Sequence, residues 1–192
     1  MANAIMPALR KRERLPRAFL AIIDDYLSQV RFKDAAILDI GPGHWDFLDI
    51  VRSRGARRTL GIDFDPAVCK LGEMRGHDVV QADLRNGWPL DGDRFDGIFC
   101  RASINIYWFD EASLADFLGA LAAAAGPDGW IWIVPWNNPP SNMTPETMAR
   151  LDAVADAWRD ANGIRRTVPS QKETKRFGIG YDIPDLSIWH RL

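Results

Sequence analysis

The sequence predicts an α/β fold: a doubly wound, mostly parallel sheet of about seven strands with helices on both faces. Short apolar runs alternate with helix-like stretches at a regular spacing, as in chains whose strands are joined by crossover helices. Glycines close three of the helix-like stretches, as they do at helix C-termini. Five strands are predicted in the main part of the chain and two in its tail, at 35–41, 58–63, 78–83, 95–100, 129–136, 176–183 and 186–192.

Helices are predicted between these strands and on either side of them. Those that end at a glycine cover 46–55, 66–76 and 111–126. An amphipathic helix over 16–30 precedes the first strand, and another over 144–163 follows the fifth. We expect one domain with an N-terminal helical segment, a central core, and a C-terminal helix with the last strands, at 1–34, 35–136 and 137–192.

The composition favours a single cytoplasmic domain and excludes several classes of protein. The 192 residues suffice for one sizeable core and are few for two. With 24 Lys and Arg against 26 Asp and Glu, a net charge of −2 draws the chain neither to nucleic acid nor to an anionic membrane. Cys69 and Cys100 suit neither a disulfide framework nor a zinc site. No membrane span, signal peptide or metal site is expected.

Acidic residues and glycines stand at the carboxyl ends of the first three predicted strands, where ligands bind in such sheets. The first strand ends at Asp39 and the loop Gly41-Pro42-Gly43, the second at Asp63, and the third at Asp83. Glycines allow the backbone to approach a ligand closely, and a carboxylate at the second strand end can accept both hydroxyl hydrogens of a ribose. These strand ends therefore predict a nucleoside site.

Five segments taken in order, ILDIGPG, GIDFDP, QADL, FDGIFC and GPDGWIWIVPW, resemble the successive motifs of class I S-adenosylmethionine (SAM) dependent methyltransferases. The resemblance covers roughly residues 35 to 136. It implies a Rossmann-like sheet whose last strand is antiparallel, SAM as the cofactor and S-adenosylhomocysteine (SAH) as its product. The activity it implies is transfer of a methyl group to a small-molecule acceptor.

The resemblance also implies which residues hold the methionine part of SAM. Gly41 and Gly43 would pass beneath it, next to Asp39 at the end of the first strand. The backbone around Cys100 and Arg101 would face the methionine amine.

The nucleoside part would lie against the next two strand ends. The resemblance implies that Asp63 holds the ribose hydroxyls and that Phe64 flanks the adenine. Asp83 would accept hydrogen bonds from the adenine amino group, and Leu84 would offer a backbone contact.

Trp45 departs from the family pattern, because a third glycine is expected at its position. Asp46 stands where a dinucleotide fingerprint needs its own third glycine, and a carboxylate there would repel a pyrophosphate. SAM carries no phosphate and its sulfonium is positive, so the loop argues against NAD more than against SAM. Two interpretations of Trp45 stay open: packing under the first helix, or a pocket role through cation–π attraction.

Acceptor contacts are expected from the loops after strands one, four and five. Methyl transfer from a sulfonium is an in-line displacement, so alignment of the reacting atoms supplies most of the rate. We predict His44, Asn105 and Tyr107 as catalytic residues. With Trp108 and Trp136 they suggest a ring-lined pocket for an aromatic or otherwise flat acceptor; in the alternative, both tryptophans are hydrophobic lids over the core.

Three other functions are weighed against this one. The chain could bind SAM or SAH without catalysis, as a scaffold. It could methylate RNA through a basic run, although such a run is usually a solvated face; it comprises Arg10, Lys11, Arg12, Arg14 and Arg17. An Asn-Pro-Pro segment at 138–140 resembles the core of amino-methylating DNA enzymes but follows the fifth strand instead of the fourth, so a rigid turn is expected.

Little chain remains to build a lid over the acceptor. We expect an open cleft, or one closed by a second copy of the protein through the aromatic surface near Trp108 and Trp136, which would make a homodimer. The N-terminal helix is the segment expected to fold over the cofactor or across that interface, although its default role is to cover an edge of the core.

Overall fold

The structure is a computed structural model that describes residues 17–28, 30–176 and 186–192. The basic residues from Arg10 to Arg14 and the part of the first predicted tail strand from 177 to 183 lie outside the described residues. The side chains of Arg17 and Trp136, both named in the predictions above, also lie outside them.

The strands of the described residues form one seven-stranded sheet in the order β3-β2-β1-β4-β5-β7-β6. All neighbouring pairs are parallel except those that β7 makes with β5 and β6. The prediction of a mostly parallel sheet with an antiparallel last strand is confirmed. The strands are β1 (Ala36–Ile40), β2 (Arg58–Asp63), β3 (Asp78–Gln81), β4 (Gly97–Asn105), β5 (Trp130–Trp136), β6 (Arg165–Thr167) and β7 (Ile188–Arg191).

Helices cover both faces of this sheet, as predicted. They are α1 (Arg17–Tyr26), α2 (Asp46–Ser53), α3 (Pro66–Met74), α4 (Glu111–Ala125), α5 (Pro145–Ala161) and α6 (Gln171–Arg176). Each of α3, α4 and α5 is preceded by an N-cap Asp or Thr, whose side chain accepts a hydrogen bond from a backbone N–H of the first turn. Within the described residues, no helix is both long and apolar enough to span a bilayer.

Each face of the sheet buries its own apolar cluster. The first cluster packs α4 and α5 against the sheet, with Leu118, Leu121 and Trp158 among its buried residues. The second packs α1, α2 and α3 against the opposite face. Ile23 of α1 and Leu27, which follows the end of α1, are buried in this second cluster. The N-terminal helix therefore covers the core, its default role.

Two segments of the sheet differ from the prediction. β6 was not predicted, because its three residues are all exposed and show no alternation of polar and apolar side chains. The first predicted tail strand begins at Arg176, which instead ends helix α6. The second, over 186–192, contains β7.

Candidate functional site

The loop between β1 and α2 has a left-handed backbone at three of its five residues. Gly41 has φ +70°, Gly43 has φ +54°, and Trp45 has φ +64°. A side chain on Gly41 would also overlap Ser103 on β4. The neighbourhood of Gly43 is open, with nothing near the place where a Cβ would stand. The loop thus passes close to β4 and leaves its outer side free for a ligand.

Trp45 lies behind this loop, in the core. Its indole is fully buried, its Nε1 donates a hydrogen bond to the Val68 carbonyl at 2.8 Å, and its ring stacks on His77 with centroids 5.2 Å apart. Gly61 on β2 and Gly72 on α3 make room for the ring, since a methyl group on either would overlap it. Of the two interpretations, the structure supports packing under the helix.

The backbone at Trp45 nevertheless keeps the conformation that favours glycine. A left-handed conformation costs a bulky residue roughly 1–2 kcal/mol. The loop conformation is therefore retained without the third glycine, at a cost that the packing of the indole offsets.

A cavity opens above the glycine loop, with about 360 Å³ of empty space when the part open to solvent is included. Asp39 lies in it almost fully buried, with 3% of its surface exposed. Burial raises the pKa of this carboxyl well above its usual value, while the positive charge of Arg101 acts in the opposite direction. The lining residues are Asp39, Gly41, Pro42, Gly43, His44, Asp46, Phe47, Phe99 and Arg101.

The floor of this cavity is aromatic. Phe47 of α2 stacks on Phe99 of β4 with centroids 3.8 Å apart, and Phe99 stacks on Trp132 of β5 at 5.0 Å. The column runs from the cavity into the second apolar cluster. Carboxyl, guanidinium and aromatic groups thus face one small space.

A second cavity lies beyond the ends of β2 and β3, with about 580 Å³ of empty space when the part open to solvent is included. Phe64 is 63% exposed there and Trp108 is 50% exposed. Ser103 lines this cavity and lies against Gly41 of the first one, so the two cavities adjoin. The lining residues are Phe64, Asp83, Leu84, Arg85, Ser103, Ile104, Trp108 and Phe109.

The two acids near this second cavity differ in environment. Asp63 is buried, and its Oδ1 accepts a hydrogen bond from the backbone N–H of Asp65 at 2.9 Å. Asp83 binds the Arg85 guanidinium through both oxygens, at 2.9, 3.1 and 2.5 Å. The Arg85 guanidinium holds the pKa of Asp83 below its usual value, so this carboxylate stays ionised and keeps lone pairs for another donor.

The three predicted catalytic residues fall into two groups. His44 lines the first cavity. Asn105 is buried: its Oδ1 accepts from the backbone N–H of Tyr107 at 3.0 Å, and its Nδ2 donates to the carbonyl of Asn138 at 2.9 Å. The hydroxyl of Tyr107 donates to Asp152 on α5 at 3.1 Å. The side chains of Asn105 and Tyr107 therefore connect the loop after β4 to the loop after β5 and to α5.

No feature of the sequence predicts an irregularity in β4 that shapes both cavities. The strand runs on to Asn105, beyond its predicted end, and its pairing with β5 shifts after Arg101. Ala102 has φ +55°, and the Ser103 hydroxyl donates to the Ile40 carbonyl at the end of β1. Such bulges re-aim side chains at strand ends. Here the bulge brings Ser103 against the glycine loop.

Acid should weaken the packing behind the loop through His77. Its side chain has no exposed surface, and burial is the main cause that lowers the pKa of its imidazole. Because the unfolded chain binds a proton near the ordinary pKa of about 6.5, the stability from neutral His77 is present above that pH and is lost as the pH falls through it. Urea unfolding at neutral and at mildly acidic pH should show a smaller acid loss for His77→Gln than for the wild type.

Burial also lowers the pKa of His190, but His190 is present in both proteins. The difference between their acid losses therefore reports on His77. Equal acid losses in the wild type and in His77→Gln would contradict the prediction.

The sheet order and the left-handed glycine loop after β1 are those of the class I SAM-dependent methyltransferase fold, and a buried acid stands at the end of β2. The sequence profile of the methyltransferase domain matches residues 10–175, and the chain belongs to this family. Among curated proteins, no sequence matches the chain significantly.

Solved methyltransferase structures share this fold at low sequence identity. A SAM-dependent methyltransferase from Mesorhizobium loti matches with a TM-score of 0.61 and 13% identity, over 95% of this chain and 98% of its own. An amino pentose methyltransferase from Micromonospora echinaspora has a TM-score of 0.59 and 17% identity, over 100% and 97%. Magnesium protoporphyrin IX methyltransferase from Synechocystis PCC 6803 has a TM-score of 0.60 and 10% identity, over 99% and 90%.

Proposed function

We propose that the chain binds SAM in the two adjoining cavities and transfers its methyl group to a small-molecule acceptor. The observation that carries this proposal is the continuity of the site. A left-handed glycine loop and the buried Asp39 border one end, and Phe64 and Asp83 border the other. Such a trough suits a ligand with an amino acid part at one end and a nucleoside at the other.

The residues present fit the cofactor at its nucleoside end. Asp63, buried at the end of β2, would accept the ribose hydroxyls, and the exposed ring of Phe64 would cover one face of the adenine. Asp83 is held ionised by Arg85 and would accept hydrogen bonds from the adenine amino group. Leu84 lines the same cavity and would contribute a backbone contact.

The methionine end has matching groups. The backbone of Gly41 and Gly43 would lie beneath the methionine chain, where a side chain on Gly43 would stand in the open space. Asp39 and Arg101 would face its charged groups, and the backbone around Cys100 would meet the amine. Burial raises the pKa of the Cys100 thiol to about 12, so this residue stays a neutral thiol beside the cationic cofactor.

The chemistry asks mainly for alignment. When bound, SAM supplies an electrophilic methyl group on a positive sulfonium. The protein then has to hold the acceptor in line and exclude water from the reacting atoms. His44 lines the cavity and is the residue proposed to take a proton from an acidic or protonated acceptor. Asn105 and Tyr107 are proposed to act as positioning residues, since their polar atoms bind other parts of the chain.

The proposed acceptor is a small, flat or ring-shaped molecule. Trp108, half exposed on the loop after β4, offers a ring for stacking at the edge of the site. Proteins of the same fold include methyltransferases named for an amino pentose and for magnesium protoporphyrin IX. Their names support a small molecule as the acceptor more than a nucleic acid.

SAM binding should depend on Asp63. Asp63→Ala is expected to weaken SAH binding by about 1–3 kcal/mol, because the ribose hydroxyls lose a buried acceptor. Isothermal titration calorimetry measures this loss directly. Asp78→Ala is the matched control: Asp78 begins β3 at the opposite end of the sheet and pairs with Arg58, so its loss should leave SAH affinity unchanged.

Two results would overturn the cofactor assignment. One is full-strength SAH binding by Asp63→Ala, and the other is a wild type that binds NAD but neither SAM nor SAH. If the wild type binds SAM yet forms no SAH with any fraction of a metabolite extract, the proposed transfer would be replaced by the alternative function, SAM binding without catalysis. The internal hydrogen bonds of Asn105 and Tyr107 are the observation that favours this alternative.

A further inference from the structure

Arg75 joins three parts of the structure behind the cofactor site. It follows the last residue of α3, and its Nη1 donates to the carbonyl of His44 at 2.6 Å and to Asp49 Oδ2 at 2.7 Å. A longer contact, of 3.5 Å, reaches Asp46. One guanidinium thus links the end of α3, the first turn of α2 and the glycine loop.

We propose that Arg75 is a positioning residue that holds the glycine loop in the conformation that binds SAM. The inference rests on the proposed function and assigns a role to a residue outside the cavity lining. Arg75 would act through the peptide between His44 and Trp45, whose carbonyl it binds. It would make no contact with SAM itself.

The conformation of the loop explains why such a restraint matters. Three left-handed residues lie within five, and one of them is a tryptophan. The Trp45 N–H donates to the carbonyl of Pro42 at 2.8 Å, which closes the turn, and the indole Nε1 is held by Val68. The carbonyl of His44 belongs to the same peptide as this Trp45 N–H, on its other side. Its bond to Arg75 therefore fixes the orientation of the peptide that carries His44 to the edge of the cavity.

The guanidinium of Arg75 is itself part of an ordered network. Arg52 donates from Nη1 to the carbonyl of Arg75 at 2.6 Å and from Nη2 to Asp49 Oδ1 at 2.8 Å. The Nε2 of buried His77 lies 3.0 Å from the same Asp49 oxygen. Asp49 thus contacts three side chains: Arg52 of α2, Arg75 after the end of α3 and His77 before the start of β3. Arg75 binds the other oxygen, Oδ2, so the loss of Arg52 would leave the bond of Arg75 to Asp49 in place.

Arg52 provides a matched control within this network. Like Arg75, it binds Asp49 and one backbone carbonyl, and it also joins α2 to α3. Only the carbonyl bound by Arg75 belongs to the glycine loop. Comparing Arg75→Met with Arg52→Met therefore separates loop positioning from the general stability of the two helices.

We expect Arg75→Met to weaken SAH binding about ten-fold, roughly the worth of one charge-assisted hydrogen bond. Arg52→Met should change SAH affinity by less than about two-fold, because it leaves the loop bond intact. In an assay with acceptor, Arg75→Met should raise the KM for SAM. Arg75→Lys should recover part of the lost affinity. Calorimetry measures binding, and circular dichroism verifies that each variant is folded.

Hydrogen exchange of the loop tests the same role without a ligand. In the free protein, amides of residues 41–48 should exchange faster in Arg75→Lys than in Arg52→Lys. The lysine variants keep the positive charge, so they remain usable if the methionine variants fail to fold. Equal losses of SAH affinity in the two methionine variants, or equal exchange rates in the two lysine variants, would overturn the role of Arg75. A wild type that fails to bind SAH would instead overturn the proposed function.

Discussion

Replacing Trp45 with glycine, the residue that the family pattern has there, should destabilise the fold by about 1–4 kcal/mol. Removing a buried tryptophan leaves a large cavity, a change that costs about 3–5 kcal/mol in other cores. Glycine returns part of this, roughly 1–2 kcal/mol, because it adopts the left-handed backbone at φ +64° without strain. The free energy of unfolding, measured by urea denaturation, gives the net effect.

Trp108→Gly is the control for this prediction. Trp108 is the same type of residue but is half exposed, so its removal should cost clearly less than the removal of Trp45. A Trp45→Gly protein as stable as the wild type would show that the indole contributes nothing net to the core.

Gly72→Ala should have opposite effects in two backgrounds. In the wild type, the added methyl group would overlap the indole of Trp45, and overpacking of this kind costs about 1–3 kcal/mol. In Trp45→Gly the ring is gone, and alanine within helix α3 should stabilise by up to about 1 kcal/mol through its higher helix propensity. A double-mutant cycle of unfolding free energies measures the change of sign.

Gly119→Ala, in helix α4, provides the reference for helix propensity alone. A methyl group there meets nothing within contact distance, so its effect should be the same whether residue 45 is tryptophan or glycine. If Gly72→Ala also had one and the same effect in both backgrounds, the proposed contact with the indole would be wrong.

The sheet could be predicted because its signals are local. β1, β2 and β5 are runs of apolar residues, and the helices that connect the strands end near glycines. Both signals can be recognised from a few consecutive residues. β6 and the bulge in β4 lacked such signals. The exposed residues of β6 form a strand through their pairing with β7, which is distant in sequence. Ala102 takes a left-handed backbone although the position has no glycine, the residue that would predict it.

The candidate site divides along the same line. The positions of Asp39, Asp63 and Asp83 could be predicted from the strands that end at or near them. In the structure all three lie at the carboxyl ends of neighbouring strands. The partners of Asn105 and Tyr107 lie on the β5 loop and on α5, far along the chain, so their inward hydrogen bonds had no sequence signal. The roles of His44, Asn105 and Tyr107 in transfer stay predictions.

The side of the loop on which Trp45 lies was undecidable for a similar reason. Gly61 on β2 and Gly72 on α3 leave the space for its ring. The sequence of the loop does not indicate that these two glycines will face it. Whether a large residue points into a core depends on small residues that face it after folding.

Because Trp45 fits between Gly61 and Gly72, substitutions at these three positions can accumulate only in a particular order. The indole blocks a side chain at 61 and at 72, and at 61 the ring of Pro42 would also have to shift. A tryptophan can enter at 45 only where both glycines already stand. Among related sequences, tryptophan at 45 should therefore co-vary with glycine at the other two. A pattern that scores position 45 by itself will count the residue as a mismatch, although the three together preserve the loop.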